Sequence, residues 1–197
     1  MNGTVVLALT LAISMLPGLC APASASAPPE QGTFTLGVLE FATDPGEQFL
    51  TGNILHIRNS VGVSVFSELP WGKAISASET VISTQVDVTT GVGSATSKTV
   101  DVYPSGIVVG TVETRLQGIA QWTYLGPPLT FGTVTITTGQ TFFGLFTDIL
   151  ATKHGVTGEL KGLDTKETAT GVIVLNPDLT PAGMSVAYAT GTYLWLK

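Results

Sequence analysis

The chain has one cysteine, Cys20, and it falls inside an N-terminal stretch that reads as a cleaved leader. The mature protein then carries no thiol, which excludes a disulfide framework, a cysteine-ligated zinc site and a cysteine nucleophile together. Charge is scarce too: 8 basic and 14 acidic residues in 197, all beyond Ala27, leave a net charge of -6. Cations so few and so scattered offer no stripe to a phosphate backbone, so no nucleic-acid partner is expected. The two histidines, His56 and His154, have no second ligand at a metal-defining spacing. There is no Gly-x-Ser-x-Gly elbow, phosphate loop or spacing that suggests a Ser-His-Asp set. Neither a metal nor another cofactor is implied.

Long apolar runs are missing except for Val5 to Leu16, interrupted only by Thr10 and Ser14. That run is too short to span a bilayer as a helix. Ala23-Ser24-Ala25 and Ala25-Ser26-Ala27 follow, two small-x-small tripeptides of the kind signal peptidase accepts. No Lys or Arg precedes the run, and Leu19 before Cys20 does not match the small residue of a lipoprotein signal. The reading is a secretory signal over 1–27 and a single extracellular domain over 28–197, with no membrane span after cleavage.

What the chain has in quantity is glycine, 23 residues of it, among many Thr and Val, a composition suited to pleated strands and tight turns. Alternating runs cover 33–41, 49–58, 61–68 and 75–88, the last long enough to need a bulge. Pro104-Ser105-Gly106 between Thr99–Tyr103 and Ile107–Leu116 is a hairpin signal. Further strands are expected over 118–125, 129–137, 141–152, 168–175 and 184–196. Phe142, Phe143, Phe146, Ile149 and Leu150 approach a helical spacing, but the Thr and Gly around them favour a strand. Eight to ten such strands predict an all-β fold, a closed antiparallel barrel of about eight strands, with a β-sandwich as the alternative. Closure is favoured because charge is too sparse to blunt two open edges without disulfides.

Phe131-Gly132-Thr133-Val134-Thr135-Ile136 is similar to the Gly-Ser/Thr-x-x-x-hydrophobic strand of the dirigent and allene oxide cyclase barrel superfamily. Gly155-Val156-Thr157-Gly158-Glu159-Leu160-Lys161-Gly162 resembles that superfamily's glycine loop, with Val156 in place of the second glycine and Leu160 in place of the aromatic. The alternating run Ser185 to Leu196 sits where such barrels end. The resemblance covers about the last third of the chain. It implies an eight-stranded barrel with an apolar cavity, assembly into dimers or trimers, and cofactor-free steering or cyclisation of a hydrophobic small molecule.

Among ionisable residues, Glu40 shares its strand parity with Phe34, Leu36 and Val38. Inside a barrel it would be a carboxyl of raised pKa, suited to general acid work, whereas at the rim it would be an ordinary carboxylate. Glu113 and Arg115 share one strand face and could pair with each other or with a ligand, although an exposed sheet face gives the same pattern. His56 and Arg58 share a parity with Leu50 and Ile54, and Trp122 and Tyr124 share a face, as do Tyr193 and Trp195. Each set can line a ligand pocket or simply pack. Two functions stand level on the residues alone: a barrel that binds an apolar small molecule and directs its cyclisation or isomerisation, or a non-catalytic structural or adhesive module. The resemblance tips the balance to the first.

Overall fold

A computed structural model describes residues 31–196, so the expected leader and Cys20 lie outside the described residues. The chain opens with one long, interrupted hairpin. Strands β1 (Gln31–Asp44) and β2 (Glu47–Thr51) run out, and β3 (Ile54–Arg58) and β4 (Ser60–Phe66) run back. Pro45-Gly46 breaks the outgoing arm and Asn59, at a φ of 56°, kinks the returning one. A meander follows: β5 (Ser76–Asp87), β6 (Val92–Tyr103) and β7 (Gly106–Thr123). A short hairpin, β8 (Leu129–Phe131) and β9 (Val134–Ile136), separates these from β10 (Thr141–Gly155), β11 (Leu163–Leu175) and β12 (Pro181–Trp195), with one 3-10 turn at Gly158–Leu160.

Eight strands close a ring in the order β5-β4-β1-β12-β11-β10-β7-β6, and β6 pairs back onto β5. Every pairing is antiparallel. Closure disposes of the free edges that so little charge could not protect. The hairpin tip, β2 and β3, extends outside the ring, where β3 continues along the far end of β5 (Ile54 opposite Asp87) after β4 has left it at Ser60 opposite Val81. The bulge expected within 75–88 lies between Val81 and Ser83.

Alternation along each strand divides inside from outside. Phe34, Leu36, Val38 and Glu40 of β1 face inward, opposite the small residues Gly191, Ala189, Ala187 and Ser185 of β12. At the end of the barrel where β1 begins, Phe34, Trp71, Tyr103, Leu160, Tyr193 and Trp195 fill the lumen. Trp71 stands edge-on to both Phe34 and Tyr193 at centroid distances of 5.2 and 5.5 Å. Gly191 is required here because a Cβ on it would lie 2.5 Å from the Phe34 ring.

A second core lies on the outer face. Leu39, Val172 and Val186 point outward and are covered by Trp122, Tyr124, Leu129 and Ile136. Two sequence expectations change here. Residues 129–137 form a tight hairpin rather than one strand, because Gly132 turns the chain at a φ of 59°, and that hairpin straps the outside of the ring. Residues 106–123 are one strand rather than two; Gly118, at a φ of 97°, marks a bulge that shifts the register against β10. The extra residue flips the parity of everything after it, which turns Trp122 outward opposite Phe142.

The strap seats itself over Gly37, whose added Cβ would collide with the Tyr124 hydroxyl and stand 3.1 Å from Leu129. That hydroxyl donates a hydrogen bond to the Pro127 carbonyl. Gly37→Ala is therefore expected to displace the strap at a cost of about 1–3 kcal/mol. Chemical denaturation should show the loss, and limited proteolysis should gain cleavages within 124–140.

Candidate functional site

The inward-facing Glu40 meets β4 and β5 at a gap in their side chains. It pairs in register with Ser64, whose hydroxyl donates to Oε2 at 3.4 Å. Its other neighbour on β4 is Gly62, which lies opposite Glu79 of β5. A Cβ on Gly62 would sit 2.9 Å from Glu40 Oε1. The missing side chain thus lets two carboxyl groups approach each other across β4. Burial is the main cause that raises the Glu40 pKa well above its ordinary value; the Glu79 charge and a carboxyl–carboxyl hydrogen bond raise it further, and the Ser64 hydrogen bond opposes them. The Glu40 carboxyl is thereby held towards its neutral form, because a second negative charge beside Glu79 is costly.

This pair borders a cavity of about 100 Å³ in the lumen, lined on its apolar side by Leu36, Val38, Ile149, Ala169, Ala187 and Ala189. Ligand pockets usually run to about 300–1,000 Å³. Side chains therefore fill most of this barrel, and the space left suits a group of a few heavy atoms.

Below Glu40 the lumen holds a second charged set: Lys153 on β10, Asp101 on β6 and Glu167 on β11, at relative exposures of 8, 1 and 6 %. Lys153 Nζ lies 2.9 Å from Asp101 Oδ2, 3.8 Å from Glu167 Oε1 and 4.7 Å from the Phe66 ring centre. Thr165 donates to Glu167 Oε1 at 3.1 Å. Lys153 reaches Asp101 over β7 at Gly110, where a Cβ would come within 2.5 Å of the lysine stem. Burial alone would lower the Lys153 pKa, but Glu167 and Asp101 outweigh it and hold the ammonium above its ordinary value. Tyr103 beside them is pushed up to about 12, mainly by burial and then by the Asp101 charge.

None of the remaining sequence candidates is brought to the cavity. Glu113 and Arg115 project from the outer face of β7, Arg115 opposite Asp148, whose carboxylate accepts from Gln117 at 2.7 Å. His56 and Arg58 sit on β3 outside the ring, where both lie over Phe49: the imidazole stacks at 4.8 Å and the guanidinium stands 5.1 Å from the ring centre. Trp122 and Tyr124 share a face, as the alternation implied, but it is the outer one; the Trp122 indole donates to Thr170 at 3.2 Å. The inward aromatic pair is Tyr193 and Trp195.

Four inward charges were not singled out by the sequence: Glu79, Asp101, Lys153 and Glu167. The signal was a lone charge sharing parity with small or apolar residues, as in Ala77-x-Glu79-x-Val81 and Ile149-x-Ala151-x-Lys153. On the outside, a shallow groove of about 1010 Å³ runs across six strands, with Lys98, Thr111, Thr152, Lys166 and Thr192 along it. Protein-family models, curated proteins and solved structures offer no match to this chain, whose function is therefore read from the site itself.

Proposed function

We propose that this chain is a secreted barrel that binds an apolar small molecule, with Glu40 presenting a protonated carboxyl to it. The observation that carries the reading is the Glu40–Glu79 pair set against the apolar wall of the lumen cavity. A neutral carboxyl there can donate to an epoxide, ether, carbonyl or alkene, and the Ser64 hydroxyl hydrogen-bonds the carboxylate left behind. This is the chemistry of an acid-assisted cyclisation or isomerisation, the class that the dirigent and allene oxide cyclase resemblance also suggests. With about 100 Å³ to fill, the ligand is compact or enters by one end.

The test is to incubate wild type and Glu40→Gln with a panel of unsaturated and epoxide-bearing molecules, following melting temperature and chiral product ratios. Wild type is expected to gain thermal stability with at least one ligand and to skew its products. The Gln variant should keep the thermal gain and lose the skew. Unchanged ratios and an unchanged melting temperature across the panel overturn the reading. The filled lumen and the threonine-lined outer groove favour a second reading, a non-catalytic adhesive or structural module. Under that reading Glu40→Gln leaves function intact and substitutions along Thr111, Thr152 and Thr192 abolish it.

A further inference from the structure

The Lys153, Asp101 and Glu167 cluster is an expensive thing to bury if it remains ionic. Asp101 Oδ1 and the neighbouring Thr99 hydroxyl are buried without a hydrogen-bond partner. A carboxylate with one oxygen unsatisfied loses solvation that a single ion pair does not restore. The same geometry is reactive: an amine nitrogen held 2.9 Å from a carboxyl oxygen, away from water, is close to an attacking position on the carboxyl carbon. The third member, Glu167, contacts the amine and is itself held by Thr165.

We infer that Lys153 and Asp101 condense into an intramolecular isopeptide bond, with Glu167 relaying the protons. The ammonium of Lys153 passes one proton to Glu167, and the freed Nζ lone pair attacks Asp101 Cγ. The tetrahedral adduct loses a second nitrogen proton, the C–O bond to one carboxylate oxygen breaks, and that oxygen leaves with both protons as water. Glu167 ends as it began, and ammonium plus carboxylate have become amide plus water, with no oxidant, activating group or outside reactant. Product formation removes two buried charges, and the unpartnered oxygen becomes an amide carbonyl, which costs less to leave unsatisfied.

Placement gives the bond a structural purpose. It would tie β6 to β10 across β7, closing a loop whose ends lie 52 positions apart. A domain with no thiol in its mature chain would gain a covalent staple that reducing agents cannot open. Gly110 is what makes the crossing feasible, since any side chain there would block the lysine stem.

Mass spectrometry of the purified wild-type chain under denaturing conditions, with its N-terminus assigned from the same sample, tests the bond directly. The expected result is a mass one water below that of the sequence. Proteolysis should yield a branched peptide joining the Asp101 and Lys153 segments, with the linear Lys153 peptide missing. Glu167→Gln should restore the full mass in the folded fraction; if that variant is also one water light, Glu167 has no part in the reaction. A wild-type chain at full mass overturns the proposal, and so does a chain one water light that still releases linear Lys153 peptide. Both of these outcomes are read on the wild-type chain, whether or not a variant folds.

Discussion

Replacing Lys153 with methionine is expected to cost at least about 3–5 kcal/mol of folding stability, the range for removing one partner from a buried ionic set. Methionine keeps most of the stem that packs over Gly110 and beneath Phe66, so lost packing contributes little. What it leaves is Asp101 and Glu167, both buried, with the ammonium that faces them gone. Each must then be neutralised or solvated, and Asp101 Oδ1 already has no partner. Urea denaturation at neutral pH measures the loss. The triple variant Lys153→Met/Asp101→Leu/Glu167→Gln separates its parts, because replacing a whole buried ionic set with apolar or neutral groups of similar volume is close to neutral. It should recover the electrostatic share. The remaining deficit, roughly 4 kcal/mol for a loop of this length, is the share that the isopeptide bond contributes by restricting the unfolded chain.

Much of the barrel was legible because period-2 alternation and glycine-proline turns are local signals. The bulge in β5, the 104–106 hairpin and the strand character of 141–152 all follow from them. Glu40 was legible for the same reason: its parity partners are Phe34, Leu36 and Val38, and no irregularity intervenes between them. Two kinds of feature were not. Lys153 and Glu167 fell beyond the expected strand limits, since β10 runs on to Gly155 and β11 begins at Leu163, several residues before the alternation becomes obviously apolar. Charges near strand ends look like loop residues until the pairing partner is known. Trp122 and Tyr124 depend on the bulge at Gly118, which exchanges the two faces without leaving a mark in the alternation on either side.

The pH profile of stability should change sharply with Glu40→Gln. An acid whose pKa is raised by folding holds its proton in the native state after the unfolded chain has released it. Below the ordinary value of 4.5 both states are protonated, so Glu40 contributes nothing there. Above it, folding must take up a proton that becomes scarcer, and wild-type stability falls by up to about 1.4 kcal/mol per pH unit until the native carboxyl also ionises. Glutamine cannot titrate, has nearly the same volume and can still accept from Ser64. The variant should therefore match wild type at the acid end and become the more stable of the two as pH rises towards neutrality. Urea denaturation of both proteins at about one-unit pH steps above the glutamate range gives the comparison. A difference that stays constant with pH would show that Glu40 ionises like any surface glutamate, and a carboxyl that has lost its proton at neutral pH has none to give a ligand.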